Sequence, residues 1–300
     1  MSILVVGSMA LDDLELPSGT FHDVLGGSAT HFSFAASALA RCRVVAIVGR
    51  DFPRRALQRL CARGVAVDGV AHCDGPTFRW GGRYLPGFRG RETKFTRLGV
   101  FARFSPEIPE AWRDSPTVFL GNISPVLQAR VLDQVRRPRF TAIDTMNFWI
   151  AGQRRALEAV VRRVDAVFVN DEEVLEWTGA ATIFDGIDRL HRKGPWVVLV
   201  KQAEHGAWLS CRGRLTFVPA VPVRRVVDPT GAGDAFAGGF LAAVDRARTL
   251  DGPTLRSALR TAAAVASFAV EAVGADALAR LDRRNITSRR RILAHLVHAE

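Results

Sequence analysis

Lysine is scarce in this chain. Lys94, Lys193 and Lys201 are the only ones, so arginine carries the formal charge of +11. No G-x-x-x-x-G-K-[ST] run is present, which excludes the lysine-dependent phosphate loop. The four cysteines, Cys42, Cys61, Cys73 and Cys211, form no C-x-x-C pair and no histidine cluster accompanies them. That argues against a zinc or dithiol site and for idle thiols in a reducing compartment. No apolar run reaches membrane-spanning length. The opening MSILVVGSMALDDLE lacks a basic start and a long apolar stretch, so it is not read as a signal peptide. The expectation is a cytoplasmic protein without a membrane partner. Internal repeats and low-complexity segments are also missing. The arginines are scattered, as at Arg54, Arg55, Arg136, Arg137, Arg162 and Arg163, whereas a nucleic-acid binder gathers them on one stripe. The tail, with Arg283, Arg284, Arg289, Arg290 and Arg291, is the exception. A solvated basic face, with no nucleic-acid partner, is the expectation.

What is present is an ordinary globular composition: 300 residues, 48% apolar and 24% charged, enough to bury a core. Short apolar runs at 2–7, 44–49, 117–122, 140–144, 166–170 and 196–201 read as buried strands. Helical stretches at 28–41, 53–64, 124–137 and 152–164 lie between them. Strand–helix alternation predicts a parallel sheet covered on both faces. Several of these runs end in Gly, Asp or Asn, at the sheet edge where ligands bind in open α/β folds. Residues 77–99 break the rhythm with aromatics, arginines and glycines, and read as a β excursion, a lid or a plain hairpin. The tail predicts a short amphipathic helix.

The stretch DPTGAGDAFAGGF, residues 228–240, carries the chemistry. It lies between a strand-like run at 224–228 and a helix from about Gly233. Gly231 and Gly233 let backbone N–H groups converge at that helix's N-terminus, where the aligned dipoles favour an anion. Asp234 falls in the first turn, placed to take a proton from a hydroxyl attacking phosphorus. Gly238 and Gly239 would allow close helix packing. The same spacing also suits a glycine turn with Asp234 as a capping residue.

This stretch resembles the C-terminal signature, D-[ST]-T-G-A-G-D-x-F, of the ribokinase-like (PfkB) carbohydrate kinases. Further segments resemble the family in the expected order: VVGSMALD at 5–12, LGGSATHFSFAASALAR at 25–41, IDTMNFWI at 143–150, NDEE at 170–173 and VVLVKQAEHGAWL at 197–209. The resemblance implies a three-layer α/β/α sandwich with a mostly parallel central sheet and a small β lid. Residues 1–282 would form the kinase domain, with 77–99 as the lid and 283–300 as a basic extension. It implies an ATP-dependent phosphotransferase acting on an alcohol of a sugar, polyol or nucleoside, with Mg2+ and K+ as cofactors and a homodimer formed through the lid. Asp234 would be the base, and the backbone of Gly231, Ala232 and Gly233 the anion hole. Asp12, Gly26, Gly27 and His31 would meet the acceptor. Asn170, Glu173, Lys201 and Gly206 would flank the nucleotide, with Glu173 holding Mg2+ through water. Asp228 and Thr230 would hold a monovalent cation. A non-catalytic nucleotide or sugar binder is the reading from another class. Asn170 and Glu173 alone equally read as a helix capping box.

The chain departs from the family pattern in places. His31 stands where an asparagine is usual, Lys201 where threonine is common, and the arginine of D-x-N-x-R is missing after Asp144 and Asn147. Phe148 and Trp149, which follow, are expected in the core. Arg79, Trp80, Arg83, Arg91 and Glu92 are candidate lid contacts to substrate.

Overall fold

The computed structural model describes residues 2–297, and these form thirteen strands. They are β1 (Ser2–Val6), β2 (Ala10–Leu16), β3 (Gly19–Gly26), β4 (Arg41–Gly49), β5 (Val65–Cys73), β6 (Phe78–Tyr84), β7 (Arg91–Arg97), β8 (Thr117–Leu120), β9 (Phe140–Asp144), β10 (Ala166–Asn170), β11 (Val197–Lys201), β12 (Ala207–Cys211) and β13 (Arg214–Val218). Nine form one sheet in the order β13-β12-β11-β10-β9-β8-β1-β4-β5. From β5 through β11 every pairing is parallel; β12 and β13 add an antiparallel edge.

The near-continuous apolar strands are explained by burial on both faces, because successive side chains point to opposite sides. Ile3 and Val5 enter one core cluster, Leu4 and Val6 the other. The first face is covered by the helices Ser28–Ser37, Ala232–Arg246 and Gly252–Ala269, the second by Pro125–Leu132, Arg154–Val161, Asp171–Thr178 and Ile183–His191. This is the parallel sheet covered on both faces that the alternating pattern predicts, and the three-layer α/β/α sandwich that the resemblance implies. Gly238 and Gly239 do allow close packing. A Cβ at 238 would stand 2.7 Å from the Phe32 carbonyl oxygen, and one at 239 would stand 2.8 Å from Val265 Cβ.

A second sheet, β3-β2-β6-β7, forms the small lid. The excursion at 77–99 supplies β6 and β7; residues 10–26 supply the other two strands, an addition to the sequence reading. Its own core joins Leu14, Leu16 and Tyr84, with Phe21, Trp80 and Val273 packed against them.

Three local differences from the sequence reading have physical reasons. Residues 224–228 are not a strand; Pro222 and Pro229 flank the run and cannot donate to a ladder. Instead the Val227 N–H donates to the Val270 carbonyl at 2.7 Å. Phe148 is 65% exposed rather than in the core. It lies on the outer side of a short helix, edge-on to Trp149, whose indole N–H donates to Asn122. The tail is a full helix, Arg283–Val297, and part of its charge is spent inside the fold. Arg289 donates to Ser267 and Glu271 and lies 3.8 Å over the Phe268 ring, and Arg290 donates to Ser257. Residues 298–300 of the basic extension lie outside the described residues. No helix among the described residues is long and apolar enough to cross a membrane.

Gln128 holds the edge of the sheet that carries the site. Its buried amide donates at 3.0 Å to the Gly121 carbonyl beyond β8 and at 3.0 Å to the Asp144 carbonyl ending β9. Gln128→Leu keeps the volume but orphans two buried carbonyls. It should lower stability by about 1–3 kcal/mol in urea denaturation; an unchanged midpoint would show that those carbonyls find other donors.

Candidate active site

The strands of the large sheet deliver their C-terminal residues to one cleft. Asp144 ends β9, Asn170 ends β10 and Lys201 ends β11. After β1 the chain turns through Ser8, which exchanges hydrogen bonds with Ser28. Ser8 N–H donates to Ser28 Oγ at 3.2 Å, Ser28 N–H to Ser8 Oγ at 3.1 Å, and Ala29 N–H to the Ser8 carbonyl at 2.9 Å. This stitch fixes the start of the Ser28–Ser37 helix against β1. It also explains Gly27, whose φ is +93° and whose Cβ would stand 2.5 Å from the Ser8 carbonyl oxygen. A Cβ on Gly26 would collide with the Asp12 carboxylate. The glycine pair therefore lets β3 pass directly beneath Asp12.

The Ala232–Arg246 helix points its N-terminus into the same cleft. Gly231 caps it in the left-handed region at φ +75°, and a Cβ there would collide with the His31 ring. Ala232 N–H turns back to the Pro229 carbonyl and Ala235 N–H to the Gly231 carbonyl. The Asp234 N–H lies against its own carboxyl, while the N–H groups of Gly231 and Gly233 have no backbone acceptor among the described residues. These free donors and the helix dipole make this helix end favourable to an anion. Ala232, expected among the donors, spends its N–H on the turn.

Lys201 approaches the same helix end; a Cβ on Gly233 would stand 3.2 Å from its Nζ. Its ammonium donates to both Asp144 oxygens at 3.1 Å. Burial pulls the Lys201 pKa down, but Asp144 and Glu173 outweigh it and the net shift is upward, so the side chain stays charged. Burial raises Asp234 to about 7, with Asp144 adding to the rise and Lys201 opposing it. Glu173 is likewise raised by burial to about 7. Asp12, 4% exposed, is pushed to about 8 by burial and then by Asp228, Asp13 and Asp234.

Asn170 and Glu173 do form a capping box: Glu173 N–H donates to Asn170 Oδ1 at 2.7 Å and Asn170 N–H to Glu173 Oε2 at 2.8 Å. The cap leaves Glu173 Oε1 and Asn170 Nδ2 without a hydrogen-bond partner among the described residues, so capping and ligand binding are compatible roles. Asp228 is fully buried; its oxygens accept from Thr230 N–H at 2.9 Å and Gly274 N–H at 2.8 Å. Gly206 forms the β11–β12 turn at φ +121°, where any Cβ would collide with the Val218 carbonyl. Asn147 is not drawn into the cleft; its amide donates to Glu176.

The lid reaches this site through a residue the sequence reading passed over. The Tyr84 and Thr230 hydroxyls share a hydrogen bond at 2.9 Å. Tyr84 is the chain's single tyrosine, and its place at the end of an amphipathic lid strand was the one signal available. The other lid candidates divide. Arg79 pairs with Asp13 at 3.2 Å and Asp23 at 2.6 Å, and Arg83 pairs with Glu15. Both are held by neighbouring lid strands. Arg91 stacks 5.1 Å over Trp80 and acts on both Tyr84 and Glu173.

The sequence profile of the pfkB family carbohydrate kinases matches residues 129–280. A cytidine kinase of Thermococcus kodakarensis is 32% identical over 258 residues, which span 84% of this chain and 91% of that one. Among solved structures, an aminoimidazole riboside kinase of Salmonella enterica superposes with a TM-score of 0.79 at 21% identity, covering 97% of this chain and 100% of that one. A putative ribokinase II of E. coli with ATP and Mg2+ gives 0.81 at 21%, covering 96% and 98%. A profile spanning half the chain and a relative matched over 84% of it at 32% identity agree, and the chain belongs to the pfkB family of carbohydrate kinases.

Proposed function

We propose that this kinase transfers the γ-phosphoryl group of ATP to a primary alcohol of a sugar, polyol or nucleoside, with Asp234 as the general base. One observation carries the assignment: the Asp234 carboxyl sits in the first turn of a helix whose free N–H groups face the same cleft as Asp12. The acceptor hydroxyl would lie between Asp12 and Asp234. Asp234 takes its proton as the oxygen attacks phosphorus, and the N–H groups of Gly231 and Gly233 stabilise charge on the phosphoryl oxygens. His31, Gly26 and Gly27 complete the acceptor wall; Lys201, Asn170 and Gly206 lie on the nucleotide side. The match to a cytidine kinase favours a nucleoside among the acceptors.

The residues present suit the expected cations. No cluster of three or more His, Cys, Asp or Glu side chains builds a metal cage among the described residues. That suits Mg2+, which keeps its waters and rides on substrate phosphates. Glu173 would hold it through water. Among the described residues, buried Asp228 has no cationic side chain as a hydrogen-bond partner, and with Thr230 it would hold a monovalent ion. Bound there, these ions would offset the charge of the phosphates and of the catalytic loop. Residues 1–282 would act as the kinase unit, with the lid contributing Tyr84 over Thr230.

Asp234→Asn should lower kcat by about 10²–10⁴-fold with an unchanged circular dichroism spectrum; near-normal turnover would remove Asp234 from the base role. Because a base must be ionised and Asp234 is raised to about 7, kcat/KM should rise through neutral pH and then level. A profile flat from pH 5 to 9 would contradict this. Stability should run the other way. Asp12, Asp234 and Glu173 have folded pKa values above their unfolded ones, so their contribution is full at low pH and is lost as pH rises through 7 to 8. His31, held down to about 4 by burial, opposes folding only below its unfolded value near 6.5. The unliganded protein should therefore be more stable to urea at pH 6.5 than at pH 8.5. Equal or reversed midpoints would show that these groups are not buried as described.

A further inference from the structure

The lid sheet divides its charge between two faces. On the outer face β2 and β3 set acids against the arginines of β6: Arg79 pairs with Asp13 and Asp23, and Arg83 with Glu15. The inner face is different. Tyr84 lies on it and meets Thr230 at 2.9 Å, one residue before the Gly231 cap of the Ala232–Arg246 helix. Arg91 stands directly opposite Tyr84 in the β6–β7 ladder, so the two side chains share that face. Arg91 is exposed and enters no ion pair among the described residues. Its guanidinium carbon lies 5.1 Å from the centre of the Trp80 ring. Gly82 makes this seat possible: a Cβ there would stand 2.0 Å from the Trp80 ring, so bare backbone lets the indole lie along the strand. The indole N–H is fixed in turn by donating to Thr93 at 3.3 Å. An arginine stacked in this way is positioned without being neutralised, and the N–H edges of its fork stay available. Its charge acts on Tyr84 and on Glu173 of the nucleotide side, whereas the cation that acts most on Asp12 is Arg79. Arg91 thus belongs to the phosphate half of the cleft.

Resting on the kinase reading above, we infer that Arg91 is a catalytic residue carried by the lid, whose guanidinium meets the γ-phosphoryl group during transfer together with the N–H groups of Gly231 and Gly233. In that step the bond from γ-phosphorus to the bridging oxygen breaks and ADP leaves. The acceptor oxygen bonds to phosphorus, and its proton passes to Asp234. Charge spreads over the phosphoryl oxygens, and a planar, permanently charged fork can meet two of them at once. Lys201, the other cation near the helix end, spends donors on both Asp144 oxygens; Arg91 has its whole fork to give. The Tyr84–Thr230 hydrogen bond holds the Arg91 strand beside the catalytic loop, so this cation arrives with the lid.

The test compares the unaltered full chain with Arg91→Ala and Arg91→Lys, all with Mg2+. Two quantities are read: phosphoryl transfer from ATP to the best acceptor of a sugar and nucleoside panel, and the affinities for ADP and for a non-hydrolysable ATP analogue. Arg91→Ala should lower kcat by on the order of 10²-fold with a smaller effect on KM for the acceptor. It should also remove most of the preference for the ATP analogue over ADP, because only the analogue carries the γ-phosphate. Arg91→Lys keeps the charge but loses the fork, and should recover part of kcat. An arginine with a structural role alone would shift the melting temperature and leave the analogue-to-ADP ratio where it was. An unchanged kcat, an unchanged ratio, or an acceptor KM that rises while kcat holds overturns the inference. If the unaltered chain transfers phosphate to no acceptor, the kinase reading falls instead, and the ratio alone decides the place of Arg91: its loss in Arg91→Ala supports the γ-phosphate contact and its persistence overturns it.

Discussion

The Lys201–Asp144 ion pair is the constraint around which the cleft is arranged. Asp12, Asp144, Glu173, Asp228 and Asp234 are brought to one end of the sheet, and burying so many carboxyl groups together is costly unless something offsets it. Lys201 donates to both Asp144 oxygens and also opposes the upward shifts of Glu173 and Asp234. The helix beginning at Gly231 adds the positive end of its dipole at the same point. What stays least compensated is the end at Asp12, which burial and neighbouring acids raise to about 8.

Backbone geometry makes this crowding feasible. Gly26 passes under Asp12, Gly27 under the Ser8 carbonyl and Gly231 against His31, each at a distance a side chain would forbid. The Ser8–Ser28 exchange and the two Gln128 hydrogen bonds hold the strand ends that carry the site. The lid is anchored on the same loop by Tyr84 and Thr230. The lid therefore meets the 228–231 loop through this pair of hydroxyls, and Val273 packs into the lid core beside it.

Much of this was legible in the residues themselves. The apolar runs located the parallel strands because each is buried on both faces, and DPTGAGDAFAGGF located the helix end because bare backbone and an acid together suit phosphate chemistry. Pairings across the chain were harder. Residues 10–26 join the lid because β2 runs beside β6, a contact that no local pattern announces. Arg79 and Arg83 look like substrate contacts in sequence, yet β2 and β3 place acids opposite them. Phe148 looks like core by composition but falls on the outer side of its helix. Asp144 was visible only as part of an incomplete motif, and its partner Lys201 lies 57 residues away. The family resemblance named candidate residues; which of them the fold brings together required three dimensions.

The central claim is that Asp234 and the free N–H groups of Gly231 and Gly233 receive the reacting atoms together. It is tested most directly by a crystal structure of the chain with an acceptor and a non-hydrolysable ATP analogue. The account predicts the reacting hydroxyl about 3 Å from the Asp234 carboxylate, with the γ-phosphate against the helix N-terminus. A hydroxyl seated on another group, with Asp234 turned away from it, would contradict the account.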